Sequence, residues 1–263
     1  MTPFQAIALF IAAVLGGALN SVAGGGSFIT LPTLIFTGVP SKIANATSTV
    51  ALWPGSVASV SAYRKELVKQ NRTLLLVLGI TSLVGGLLGA LLLLDTSQKT
   101  FVQLLPYLLL IATVLFAVSG PITTRLRARA EGRSPKQTNQ ISWRALTLIA
   151  ILQLIIATYG GYFGGGIGIL MLATLGLMGM ENIHEMNAVK TVLQTTINGV
   201  AVVAFIIAGA VVWAQAIVMI IGSIVGGYTM ASFARRLDPR IVRGFVILVG
   251  ASMTIYFFFF YKP

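Results

Sequence analysis

The chain alternates long apolar runs with short polar or glycine-rich breaks, and most of the runs are of membrane-spanning length. Ten can be drawn, at about residues 4–23, 27–37, 41–63, 72–94, 98–120, 144–163, 166–179, 182–208, 212–234 and 240–261. Each predicts a helix. At 1.5 Å per residue the second and seventh are too short to cross a hydrocarbon core of about 30 Å as straight helices. Between the fifth and sixth runs lies a polar, basic stretch, residues 121–143, the only linker in the pattern. It separates a first transmembrane repeat, 1–120, from a second, 144–263.

The two halves echo each other. "VAGGGSFITLPTLIFTGVPSKIANATSTVAL" in the first answers "YFGGGIGILMLATLGLMGMENIHEMNAVKTVLQ" in the second, and "TSLVGGLLGALLLLD" answers "GSIVGGYTMASFARRLD", at offsets of 140–143 residues. Loop charge then orients the halves, because Lys and Arg mark cytoplasmic loops while acidic residues count for little. The loop after the third run carries Arg64, Lys65, Lys69 and Arg72, and the loop after the fourth carries Lys99 alone. In the second half the bias reverses. The loop after the eighth run, Gly209 to Trp213, is uncharged, while the one after the ninth carries Arg235, Arg236, Arg240 and Arg243. Equivalent loops therefore face opposite sides, with the N-terminus outside and the basic linker cytoplasmic. These patterns predict an all-α polytopic membrane protein of two inverted repeats, about five hydrophobic segments each, with a short or re-entrant glycine-led helix in each half. Inverted repeats with broken helices are the build of secondary transporters, whose sites lie near the midplane between the repeats.

Composition agrees with lipid as the solvent. Hydrophobic residues make up 56% of the chain and charged residues 9%, against about 25% charged in soluble domains. The N-terminal run has no basic n-region and no clear small-x-small cleavage site, so it reads as a retained span and not as a signal peptide. The net charge of +12 would suggest nucleic acid in a soluble protein. Here the basic residues sit in short loops and set orientation, so the partners expected are membrane lipid and a small anionic substrate, with no nucleic acid. A homodimer is the default oligomer. Cysteine is absent and His184 is the single histidine, so no cofactor is implied and a multi-histidine metal site within one chain is excluded. An intramembrane enzyme would need paired ionisable groups inside the membrane, whereas Asp95 and Asp238 both sit at segment ends.

Two motifs carry candidate chemistry. The first is a triglycine at matching places, Gly24-Gly25-Gly26 and Gly164-Gly165-Gly166, each opening a short apolar run. Glycine lets backbone N–H groups approach a ligand, and the helix N-terminus that follows carries unpaired donors and partial positive charge. The same residues could instead serve only to let helices pack closely. The second motif is a polar stripe within the eighth run. Asn187, Lys190, Thr191, Gln194 and Asn198 fall at i, i+3, i+4, i+7 and i+11, one helical face. The first half repeats it as Asn45, Ser48, Thr49, Leu52 and Ser56, with serine where the lysine stands. A lysine at the centre of a span costs roughly 2.5–3.5 kcal/mol on insertion scales. Interhelical hydrogen bonding could explain Ser56 or Asn198, but not a buried charge without a carboxylate on its face. A structural pair with Glu185, five residues earlier, falls outside the favoured spacing. Lys190 thus reads as the fixed positive charge that holds an oxyanion, with hydroxyls, amides and glycine-rich backbone donors around it. The residues nominated for substrate binding are Gly24, Gly25, Gly26, Asn45, Ser48, Thr49, Gly164, Gly165, Gly166, Asn187, Lys190, Thr191 and Gln194.

Other residues read more plainly. His184 could couple protons but fits a wet turn. Trp53 and Pro54 interrupt the third run, either kinking it at the site or packing. Trp143 and Trp213 fit interfacial anchors. Arg125, Arg127 and Arg129 suit topology and lipid headgroups.

With these motifs on the page, the chain resembles the TauE/SafE family of sulfite and organosulfonate exporters. The resemblance lies in "AGGGSFITLPTLIFTGVPSKIANATS", in its echo "GGYFGGGIGILMLATLGLMGMENIHEMNAVKT" and in the closing "ASFARRLDPRIVRGFVILVGASMTIYFF". It covers the chain except the central linker. It implies a permease of the bacterial inner membrane that exports small sulfur oxyanions such as sulfite or sulfoacetate. The second half departs from that pattern, since Pro32 in the first short helix has no counterpart near Leu172. Three rival readings keep other features: a permease for another small anion, a site where unwound carbonyls hold a cation, and a scaffold that transports nothing.

Overall fold

A computed structural model describes residues 1–22, 24–62, 64–67, 70, 72–131, 143–178, 180, 182–233 and 239–261. Residues 132–142, Lys69, Arg235, Arg236 and Asp238, to which the sequence assigned roles, lie outside them, as do the side chains of Arg64, Lys65, Arg125, Arg127, Arg129, Trp143, His184, Arg240 and Arg243. Every element among the described residues is a helix. In chain order they are α1 (Pro3–Val22), α2 (Ser27–Phe36), α3 (Ser41–Ala62), α4 (Arg64–Leu67), α5 (Arg72–Asp95), α6 (Gln98–Glu131), α7 (Trp143–Tyr162), α8 (Ile167–Leu177), α9 (Ile183–Ile207), α10 (Trp213–Phe233) and α11 (Pro239–Phe259). The ten expected runs all appear within a few residues. The one-turn α4 and the continuation of α6 to Glu131 did not show as apolar runs, because both are rich in charge.

Stretches in α1, α5, α6 and α9 are long and apolar enough to cross a membrane. Their outward faces carry exposed Leu, Ile and Phe, as lipid-facing surfaces do. With 10 and 11 residues, α2 and α8 reach only about 15 Å. Each follows a break opened by a left-handed glycine, Gly24 (φ 76°) and Gly164 (φ 78°), a conformation that costs other residues dearly. The two breaks are built alike: the Gly24 N–H donates to Leu19 O, and the Gly164 N–H to Tyr159 O.

The helices of the two halves interlock. α1 packs along α10, and α5 along α7; α3 crosses α9, and α6 packs on α11. Small residues set how closely these pairs approach. A Cβ at Gly17 would strike the carbonyl oxygen of Ser223, and one at Gly161 that of Gly86; Gly226 meets Val14 in the same way, and Gly89 meets Thr158. Each contact between α1 and α10 thus has a counterpart between α7 and α5. The repeated contacts put Gly226 in the role of Gly89, one helical turn beyond Gly85, the residue reached by aligning the two Val-Gly-Gly motifs. Such backbone proximity lets dispersion hold helices together where the lipid supplies no hydrophobic drive.

The ends of α5 show how α3 and α9 enter. Near its C-terminus, Lys42 at the start of α3 donates from Nζ to Leu94 O and Thr96 O at 2.6 and 2.8 Å. Just before its N-terminus, Gln70 donates to the carboxylate of Glu185 at the start of α9, at 3.0 Å. A helix of 24 residues, about 36 Å, separates these points. α3 and α9 therefore start at opposite ends of α5, and they cross where Trp53 Nε1 donates to Thr195 O at 2.9 Å. Pro54 removes an N–H from the α3 ladder, and Ser223 of α10 donates to the nearby Ala51 carbonyl at 2.6 Å. Trp53 and Pro54 thus serve interhelical packing.

Replacing Gly89 with Ala should force α5 from α7 and cost about 1–3 kcal/mol, lowering the thermal midpoint in detergent. Gly79→Ala on the same helix, where no atom lies within 4 Å of the added Cβ, should leave the midpoint unchanged or raise it.

Candidate functional site

The first glycine-led break meets the start of the second short helix. The position of a Cβ on Gly24 lies 3.0 Å from the Cα of Gly168, in the first turn of α8, and 3.1 Å from Oε1 of Gln194 on α9. The first break is thus pressed against the short helix of the other half. Asn20 steadies it from α1, accepting the Gly26 N–H at 2.9 Å. Tyr159 steadies the second break, donating from its hydroxyl to Gly165 O at 2.9 Å. At the N-caps the two differ, Gly26 being right-handed helical and Gly166 left-handed at φ 78°. Ala112 of α6 lies against Gly166, 3.2 Å from where its Cβ would be.

The polar stripe of α3 is largely closed by its own neighbours. Asn45 donates from Nδ2 to Tyr162 O, the last residue of α7, at 2.9 Å. The hydroxyls of Ser48 and Thr30 pair at 2.6 Å across α3 and α2. Thr49 donates to Asn45 O and Ser56 to Leu52 O, back along their own helix. Only Asn45 Oδ1 is left over.

The stripe of α9 is different. Lys190 is fully buried, and its Nζ has no hydrogen-bond partner among the described residues; the same is true of Asn187 Oδ1 and Asn198 Oδ1. Thr191 spends its hydroxyl on Asn187 O at 2.7 Å. Gln194 is buried at the junction with the first break. The pair with Glu185 that the sequence left open is not made, because that carboxylate takes Gln70 at 3.0 Å and Asn182 at 3.5 Å. Leaving a buried ammonium or amide unpartnered is costly. α3, α4, α5, α7 and α8 pack on α9. α8 contains no charged residue, the charges of α3, α5 and α7 lie in their first or last turns, and α4 brings Glu66, one of whose carboxylate oxygens is buried without a hydrogen-bond partner among the described residues. Along its own face of α9 Lys190 is the one charge in a polar row. The sequence located this row by periodicity. It did not reveal that the matching row on α3 is already satisfied, since the partners Thr30 and Tyr162 come from other helices. The cradle that brings Gln194 to Gly24 and Gly168 was likewise not legible in the stripe itself.

A bundle of apolar helices, four with stretches long enough to cross a membrane, in which the glycine-led break of one half packs on the short helix of the other, has the build of a polytopic membrane protein of the transporter class. The comparisons agree and narrow it: residues 9–257 match the family described as sulfite exporter TauE/SafE, and the chain belongs to that family. It is a membrane transporter and not an enzyme. It is similar to a probable membrane transporter protein of Haemophilus influenzae, 26% identical over 247 residues, covering 94% of this chain and 91% of the relative. The probable membrane transporter protein YfcA of Escherichia coli K12 is 26% identical over 256 residues, 97% of this chain and 90% of its own. The probable membrane transporter protein ORF9 of a Sinorhizobium species is also 26% identical, over 249 residues, 94% and 90% of the two chains. No solved structure matches the chain.

If Lys190 is held for a ligand and not for the fold, Lys190→Met should stabilise the ligand-free protein by about 1 kcal/mol or more, as removal of an unpaired buried charge does. A thermal midpoint that falls in this variant would mean that the ammonium is structurally engaged.

Proposed function

We propose that the protein is an inner-membrane permease that exports small sulfur-containing oxyanions, sulfite or organosulfonates such as sulfoacetate, by alternating access. The observation that carries this reading is the Lys190 ammonium, fully buried and without a partner among the described residues. An anion is the ligand that offsets such a charge. The first turn of α8 lies beside Gln194 and Gly24, so its free N–H groups and dipole add to the grip. Asn187, Gln194 and the glycines 24–26 and 164–166 complete the pocket. Asn45, Ser48, Thr49 and Thr191, engaged in hydrogen bonds of their own, shape it from the side. The family description, with its sulfite exporter, supports the substrate class.

Alternating access follows from two halves of opposite orientation. The start of α3 at one end of α5 and of α9 at the other supports an inverted repeat. So does the contact of Trp53 with Thr195, which the echo of the halves aligns with each other. Rocking about that crossing would open the midplane to either side in turn. Loop charge places the N-terminus outside and the linker in the cytoplasm. With the interior negative by about 100 mV, each anionic charge leaves with roughly 2.3 kcal/mol in its favour, so export needs no second ion.

The test is equilibrium binding of sulfite and sulfoacetate to the purified protein, wild type beside Lys190→Ala, with a metal cation as control. Saturable anion binding that disappears in the variant is expected. Anion binding of equal strength in both proteins would move the site away from Lys190, and preference for the cation would overturn the reading.

A further inference from the structure

The α9 row asks more of a ligand than negative charge. Lys190 is flanked on its own face by two primary carboxamides, Asn187 one turn before and Gln194 one turn after, each within about 6 Å along the axis. Asn198 lies a further turn on. The four residues form one line, and three of them end in groups of the same kind.

A primary amide is never donor alone. Whichever way it is turned, it presents one carbonyl oxygen beside its NH2 group. An ammonium, in contrast, only donates. The oxygens of Asn187 and Asn198 are buried and without a donor among the described residues. Gln194 Oε1 is lodged at the meeting point of the two halves, against Gly24 and Gly168. An anion built only of acceptors, such as sulfate, would satisfy Lys190 and the NH2 groups and bring no donor for the oxygens of Asn187 and Asn198. A ligand that also brings an O–H or N–H would answer both needs.

Charge count sets the second limit. Lys190 is the single charge on its face of α9, and the helices packed on it place their charges in end turns, the one-turn α4 with Glu66 lying at the α9 start where Gln70 meets Glu185. One ammonium in a dry site neutralises one negative charge, so a dianion would keep an unpaired charge out of water.

Resting on the anion reading above, we infer that among small sulfur oxyanions the α9 row prefers a monoanion that carries its own hydrogen-bond donor close to the anionic group over a dianion without one, such as sulfoacetate, and that Gln194 reads that donor. Gln194 is then the residue that sets specificity while Lys190 supplies affinity. Its counterpart in the first half is Leu52, a buried apolar residue, so the reading exists on one side of the site only. A pocket built to hydrogen-bond a substrate hydroxyl rejects the analogue without it strongly, because its own polar group is then left unpaired.

The experiment compares two probes of one charge, 2-hydroxyethanesulfonate and ethanesulfonate, titrated into the purified full chain. Wild type should bind the hydroxyl-bearing probe at least tenfold more tightly. Gln194→Leu, which copies the residue at position 52, should bring the two affinities together without abolishing either, and Lys190→Ala should remove both. Equal affinity of the two probes for wild type would overturn the donor requirement while leaving the anion site standing. A preference that survives intact in Gln194→Leu would overturn the role of Gln194. Failure of wild type to bind either probe, or sulfite, would bring down the anion reading and this inference with it. The wild-type comparison stands even where a variant does not fold.

Discussion

The closeness of backbone to backbone at two glycine-lined seams is the constraint on which the rest of this molecule depends. In a bilayer, helices gain nothing by hiding apolar surface from one another, and they associate through dispersion and a few hydrogen bonds. Where Gly17 and Gly226 seat α1 on α10, and Gly161 and Gly89 seat α7 on α5, no Cβ keeps the chains apart. Each seam joins one helix from either half. The halves are therefore stitched to one another, and the shorter α2 and α8 pack among the longer helices, α2 on α1, α3 and α11 and α8 on α6, α7 and α9.

Carrying short helices inside has a consequence for the polar groups at their ends. Broken backbone at membrane depth is tolerated only where protein or a water-filled cavity surrounds it. Asn20 answers the Gly26 N–H within the first half, Tyr159 answers Gly165 O within the second, and Asn45 of the first answers Tyr162 O of the second, so both breaks are met by protein groups. The stripe on α9 is less fully met. Its Lys190, Asn187 and Asn198 keep buried atoms without a partner among the described residues. The two stripes thus differ: the hydroxyls on α3 are hydrogen-bonded, while α9 keeps a buried ammonium and two amide oxygens without partners among the described residues. Unpartnered buried groups of this kind cost stability.

The same asymmetry explains why the helices were easy to read and the site only half so. Apolar runs against a bilayer have sharp ends, and the ten drawn from hydropathy fell within a few residues of the helices found. α4 and the end of α6 escaped notice because Arg64-Lys65-Glu66 and the arginines after Pro121 carry no apolar signal. The triglycines were found from their duplication, and the stripe on α9 from its spacing. Treating Ser48 and Thr49 as equal partners of Lys190 was reasonable from sequence, since both faces show the same periodicity. Thr30 takes up Ser48 from a different helix, and no spacing along α3 contains that fact.

By itself the sequence determined the class of protein, the helix ends, the echo of one half in the other and the presence of a lysine where lipid forbids one. Each of these depends on local order or on transfer from water to lipid, which short windows of chain report faithfully. Tertiary structure decided which glycines meet, that Glu185 goes to Gln70 and not to Lys190, and that Gln194 faces the opposite half's break. Those outcomes turn on hydrogen bonds and contacts between helices distant in the chain, from Gly86 against Gly161 to Gly17 against Ser223. A partner of that kind is chosen by three-dimensional proximity, and proximity is what packing supplies.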